Sequence, residues 1–192
     1  MPLPTVTFTD DYNLTIHGET IMQLKYVDND HEPGNIYIWV PQSKVLMKVD
    51  VVFPSTTVFK NLALTSSYLN FLRAHDVLLS YPFVKLVTGH WGIVGTPSDV
   101  RKQKRYILDM QSNAVVGLTT VSFSQAVADS GYANVTSPNF NNQPYLLNLY
   151  LNRVVDVCTR LTLASWTEQR LVGVNVFTDG HCFTIIESLR ID

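Results

Sequence analysis

The sequence predicts a mixed α/β layered fold, with strands first, then strand and helix in alternation, then helices alone. Three observations carry that reading. The first fifty residues alternate apolar and polar side chains, as in "YNLTIHGETIMQLKYV". The runs "NIYIWV" and "KVLMKVDVVF" are nearly continuous in apolar residues, the pattern of strands covered on both faces. Beyond Ser122 the composition turns helical, with loops between the helices. Strands of this kind need helices or a second sheet laid over them.

Each element has its own signal. "TVTFTD" reads as a strand, and His17-Gly18 reads as the hairpin turn between Leu14-Thr15-Ile16 and the strand that begins near Ile21. Pro41-Gln42-Ser43 joins the two apolar strands. Residues 66–79, "SSYLNFLRAHDVLL", carry apolar side chains at helical spacing and stop before Pro82. "FVKLVTGH" is a short buried strand closed by Gly89-His90. "TPSDVRKQKRYILDMQSNAV" opens a helix with Thr96 as cap, Pro97 in the first turn and Asp99 beside the positive helix end. The longest helical piece is residues 144–169. Residues 1–120 are expected to form the α/β part, with residues 121–192 a helical extension packed on it.

Composition narrows the function classes. The 192 residues are 46% hydrophobic and 16% charged, enough to bury a core. A net charge of -2 excludes a general electrostatic pull toward nucleic acid or anionic lipid. "RKQKR", residues 101–105, reads as a solvated helix start. No window of about twenty apolar residues is present to span a membrane. "MPLPTVTFTDD" lacks the positive segment and apolar run of a secretory signal, so a cytoplasmic location is expected. Cys158 and Cys182, both in apolar helical contexts, are expected to be buried inert thiols.

The chemistry concentrates at three strand ends. His31 lies in the turn entering a strand, Asp50 within "LMKVDVVFP" near the end of a strand, and His90 closes "KLVTGH". Side chains at the ends of neighbouring strands converge on one rim of a sheet. A carboxylate flanked by Val49, Val51 and Val52 is costly to bury without a cation or several hydrogen bonds. Imidazole and carboxylate together suit zinc, iron or manganese better than calcium. Trp39 and Trp91 are candidates to line a pocket beside these groups. His17 reads as a turn residue, His75 as a solvent-facing helix residue near Asp76, and His181 as a capping or core residue near a helix start.

The segments "HEPGNIYIWVPQSKVLMKVDVVFP" and "LVTGHWGIVGTPSDV" resemble the second half of the metallo-β-lactamase fold superfamily. In that superfamily a histidine introduces a Pro-Gly or Pro-Asn turn, an acidic residue ends the next hairpin, and a Gly-His pair ends a later strand. The resemblance covers roughly residues 5–110. It implies part of an αββα sandwich, with His31 a ligand of a first metal, Asp50 the carboxylate bridging two metals and His90 a ligand of the second. It implies zinc, or iron or manganese, and metal-assisted hydrolysis of a small-molecule substrate.

The departure from the family is as informative. Members carry a His-x-His-x-Asp-His motif in their first half. This sequence has five histidines, at positions 17, 31, 75, 90 and 181, and no two are separated by one residue. Half of the binuclear ligand set is therefore absent, and weak or no activity by the chain alone is expected. Half a sandwich also leaves apolar strand surface to cover, Ile36, Ile38, Leu46 and Val52 among it. Cover is expected from the C-terminal helices, from a second copy, or from a partner chain that supplies the missing half. The alternative to a hydrolase-like chain is a noncatalytic interaction module with His31, Asp50 and His90 as relics.

Overall fold

The computed structural model describes residues 3–27, 29–90, 92–169 and 171–191. The chain divides into two compact units, residues 1–105 and 106–192. The class is the expected one: four strands come first, a helical stretch precedes the last two strands of the six-stranded sheet, and helices follow.

The sheet of the first unit runs in chain order. Strands β1 (Asp11–Ile16), β2 (Glu19–Tyr26), β3 (Ile36–Val40) and β4 (Val45–Met47) form an antiparallel meander. Strand β5 (Lys85–Val87) then pairs parallel to β4, and β6 (Val94–Gly95) returns antiparallel to β5. The first turn is the one expected: His17 and Gly18 have φ of 52° and 81°, as a two-residue primed turn requires. The strand expected at residues 5–10 does not form. β2 reaches only as far as Tyr26, whose N–H bonds the Asp10 carbonyl at 2.7 Å, so earlier residues have no partner strand among the described residues. "KVLMKVDVVF" is likewise strand only to Met47, and its remainder is buried irregular chain.

Register assigns the faces. Tyr37, Trp39, Leu46 and Leu86 share one face and are all buried, while Leu24, Ile38 and Met47 on the other are half-buried. Of the residues expected to need cover, Leu46 and Val52 are buried within the chain, and Ile36 and Ile38 are half-buried.

Helix α1 (Tyr68–Ser80) is capped by Ser67, whose hydroxyl accepts from the Asn70 N–H at 3.3 Å. Tyr81, just beyond it, stacks on Tyr37 at 6.1 Å between centroids and meets the Trp39 ring at a tilt at 5.8 Å. Helix α2 (Pro97–Thr120) begins as expected, with a reciprocal cap: Thr96 N–H donates to the Asp99 carboxylate at 2.8 Å, and Asp99 N–H donates to the Thr96 hydroxyl at 3.4 Å.

His75 is not solvent-facing, because α1 turns it fully inward. Its Nδ1–H donates to the Phe71 carbonyl at 3.0 Å, and its Nε2 accepts from the Gln103 amide at 2.8 Å. That amide also donates to the Val51 carbonyl at 2.6 Å, while the Gln103 carbonyl oxygen accepts from Phe53 N–H at 2.9 Å. The network closes only around a neutral imidazole, and burial pushes the His75 pKa down to about 4 from 6.5. A folded pKa below the unfolded one means stability present above pH 6.5 and lost as pH falls toward 4. The expected loss is up to about 3 kcal/mol. Urea midpoints across that range check it, and an unchanged slope in a His75→Phe chain would assign the effect elsewhere.

The second unit is helical: the remainder of α2, α3 (Phe123–Ser130), α4 (Gln143–Trp166) and α5 (Val174–Ile191). Asn142 caps α4, its side chain accepting from Tyr145 N–H at 3.1 Å. Cys158 and Cys182 are buried as expected but are not free thiols. They form a disulfide joining α4 to α5, because helical spacing turns both toward the seam between those helices with Cα atoms 6.0 Å apart. His181 lies inside α5 rather than at a helix start, buried, with its Nδ1 3.2 Å from the Tyr106 hydroxyl. Among the described residues, no helix is long and apolar enough to cross a membrane.

Candidate metal centre

The chain after β2 is pinned before it reaches His31. Asp30 is buried, and its carboxylate takes the Lys48 ammonium at 2.8 Å and the Tyr37 hydroxyl at 2.7 Å. Lys48, itself fully buried, also donates to the Asn35 carbonyl at 3.1 Å and lies 4.2 Å from the centre of the Tyr37 ring. Burial pulls the Lys48 pKa down, and the Asp30 carboxylate opposes that by favouring the charged form. Burial, with the adjacent carboxylate, holds the Tyr37 hydroxyl protonated far above its usual range.

His31 follows directly. Its carbonyl accepts from Ser66 N–H at 3.1 Å and from the Ser66 hydroxyl at 3.2 Å. The Glu32-Pro33-Gly34-Asn35 turn beyond it closes with Asn35 N–H to the Glu32 carbonyl at 3.3 Å, and Gly34 supplies the φ of 87° that the third position of such a turn requires.

Asp50 and His90 are placed by the parallel pair. The ladder of β4 and β5 continues past both strands, with Lys48 N–H to the Val87 carbonyl at 3.0 Å and Asp50 N–H to the Thr88 carbonyl at 3.4 Å. Asn35 ties this segment to the His31 turn by donating to the Val49 carbonyl at 2.9 Å. His90 hydrogen-bonds Asp50 through Nε2. Gly89 precedes it with φ of 82°, and a Cβ there would stand 2.7 Å from Val49 Cγ1, so any other residue would be strained and would have to displace the Val49 side chain beside Asp50.

These residues open onto one cavity of about 440 Å³, lined by His31, Asp50, Phe53, Phe59, Ala63 and His90. The ligand atoms of His31, Glu32 and Asp50 lie within 4.8 Å of one another. The three candidate ligands are thus gathered at one site. Trp39 is not there: it sits on the buried sheet face against Tyr81, 7% exposed, because it alternates with Ile38 and Val40 on β3. Trp91 falls outside the described residues.

The His31 ring fits a metal ligand. Its Nε2 lies 2.6 Å from the Ala63 carbonyl, which only accepts, so the proton is on Nε2. Nδ1 then carries the lone pair, and it is buried without a hydrogen-bond partner among the described residues. A histidine whose second nitrogen donates to a backbone carbonyl is the usual geometry of a metal-binding imidazole.

The carbonyl that orients it belongs to an unusual segment. Asn61, Leu62, Ala63 and Leu64 all have φ between 53° and 61°, one turn of left-handed helix without a glycine. Each such residue costs roughly 1–2 kcal/mol. The turn is held by buried Leu62 and Ala63 and by Ala63 N–H to the Phe59 carbonyl at 2.8 Å. Asp50 and His90 are left-handed too, at 65° and 48°. Backbone strain of this kind concentrates where the surroundings must hold a site.

Sequence reasoning passed over Glu32, Lys48 and Gln103. Lys48 has a signal, a cation inside an apolar strand run, and so does Gln103, the buried residue at the centre of "RKQKR", three after buried Val100. Phe59 and Ala63 had none, since nothing local announces a left-handed turn.

No protein-family model matches the chain, and no curated protein matches it. Solved structures that it resembles include TMB-1, at 17% identity and a TM-score of 0.43 over 53% of this chain and 45% of that one. Another is a metallo-beta-lactamase from Pontibacter korlensis, at 22% identity and 0.42 over 54% and 50%. A third is a metallo-beta-lactamase family protein from Thermus thermophilus, at 18% identity and 0.42 over 88% and 50%. The chain spans about half the length of each of these structures. Its likeness to metallo-beta-lactamase family structures is one of fold, over part of their length.

Proposed function

We propose that the first unit is the metal-binding part of a hydrolase-like chain, with His31, Asp50 and His90 as half of a binuclear site for divalent ions of the zinc, iron or manganese type: His31 on the first ion, Asp50 between the two and His90 on the second. The observation that carries this is the buried, unpartnered Nδ1 of His31, set in a cavity shared with Asp50 and His90. When bound, such an ion supplies Lewis acidity toward a carbonyl or phosphoryl centre. The chain's own groups do the rest. The Ala63 carbonyl fixes the His31 tautomer, His90 orients the Asp50 carboxylate, and Phe53 and Phe59 give the cavity an apolar wall for a small-molecule substrate.

Three ligands shared between two metals are few, since a catalytic zinc takes three for itself. The sequence contains no His-x-His pair, so hydrolysis by this chain alone is weak or absent on this reading. Elemental analysis of the purified chain tests the site, beside His31→Ala and Asp50→Ala variants and a panel of lactam, ester and phosphodiester substrates. Near-stoichiometric metal lost in both variants supports the site. Negligible metal in the unaltered chain sinks it and leaves the noncatalytic reading.

The half-buried face of Leu24, Ile38 and Met47 favours association, with a second copy or with a chain supplying the missing half. A monodisperse monomer in light scattering counts against the homo-oligomer. Compartment is read from the cysteines: a reduced Cys158–Cys182 pair in chain trapped from cells agrees with a cytoplasmic location, and an oxidised pair points to an oxidising one.

A further inference from the structure

Glu32 is the residue the ligand count leaves over. It stands between His31 and the Pro33-Gly34 turn, where a bend in the chain lets neighbouring side chains converge instead of pointing to opposite faces. Its carboxylate joins the His31 nitrogen and the Asp50 carboxylate within 4.8 Å. Two ligand atoms on one tetrahedral ion, each bonded at about 2.0–2.2 Å, stand about 3.3–3.6 Å apart. The Glu32 side chain is exposed and so has room to rotate inward by that difference.

We propose that Glu32 is a third protein ligand, making with His31 and Asp50 a self-contained mononuclear centre beside which His90 stands as the fourth group. This rests on the proposed function and changes its consequence. The three ligands that a catalytic zinc takes are then all present within residues 31–50, with no contribution from a missing half. Two carboxylates neutralise a divalent charge, and the buried imidazole nitrogen selects a first-row transition ion over calcium or magnesium. Glu32 does not enter through the family resemblance, whose three positions are His31, Asp50 and His90. It enters because the turn brings its carboxylate within 4.8 Å of a His31 ring nitrogen and of the Asp50 carboxylate.

The test is calorimetric titration of the metal-free chain with zinc and with manganese, comparing it with Glu32→Gln, His31→Ala and His90→Ala chains. Glu32 is exposed, so Glu32→Gln keeps the fold, and circular dichroism confirms that it does. The expected result is one ion per chain, with affinity lowered at least about tenfold in Glu32→Gln. The manganese electron paramagnetic resonance spectrum should change with it. Unaltered affinity in Glu32→Gln together with loss in His31→Ala overturns Glu32 as a ligand and leaves the His31, Asp50, His90 reading standing. Failure of the unaltered chain to take up either ion overturns both.

Discussion

A chain carrying Lys48→Met loses about 3–5 kcal/mol from the first unit. The reason is asymmetric. Lys48 and Asp30 are 0% and 2% exposed, so removing the ammonium leaves a dry carboxylate whose remaining side-chain hydrogen bond among the described residues is from the Tyr37 hydroxyl. The lost attraction matters less than the uncompensated charge, because both members were taken out of water to form the pair. Replacing both, Lys48→Met with Asp30→Asn, removes the stranded charge and should restore most of the loss. Hydrogen exchange at the β3 and β4 amides reads the effect where it acts. A single-variant loss under about 1 kcal/mol would mean that water reaches the pair. The same substitution should loosen His31, since Asp30 is the residue before it, and so weaken the metal binding proposed for this site without touching any of its proposed ligands.

Reduction of the Cys158–Cys182 bond is expected to lower the stability of the second unit by about 3 kcal/mol, the loop-closure value for a separation of 24 residues. In a unit of this size that is a fall of roughly 12–24 °C in Tm. Thermal melts at 222 nm with and without dithiothreitol measure it. A shift of only a few degrees would mean that α4 and α5 are held by their packing alone. Both sulfurs are fully buried, so reduction should itself be slow in the folded chain and accelerate with mild denaturant.

Much of this was legible beforehand, and the parts that were not share a cause. The helices at residues 68–80, 97–120 and 143–166 carry periodicity and caps that act locally, so the sequence announces them. His31, Asp50 and His90 stand at chain punctuation beside glycine, proline or valine and could be picked out one by one. Trp39 misled because an aromatic beside a site and an aromatic in a core have the same local signal, and only the strand register separates them. His75 misled for the opposite reason, since its burial depends on Gln103, far away in sequence. The disulfide and the left-handed turn are likewise properties of tertiary placement.

The parallel pairing of β4 with β5 has a consequence for the order of events in folding. The meander of β1 to β4 needs only short connections, whereas β5 must come back across the whole of residues 48–84 before it finds its partner. Pairings of that kind are late, because the entropy of closing the loop is lost before any contact compensates it. His31 and Glu32 border the early meander; the Asp50 N–H and His90 depend on the late strand. If the proposed metal site is real, an ion present during refolding would therefore meet a two-residue foothold first and the full set afterwards, and the rate at which it becomes tightly held would time the arrival of β5.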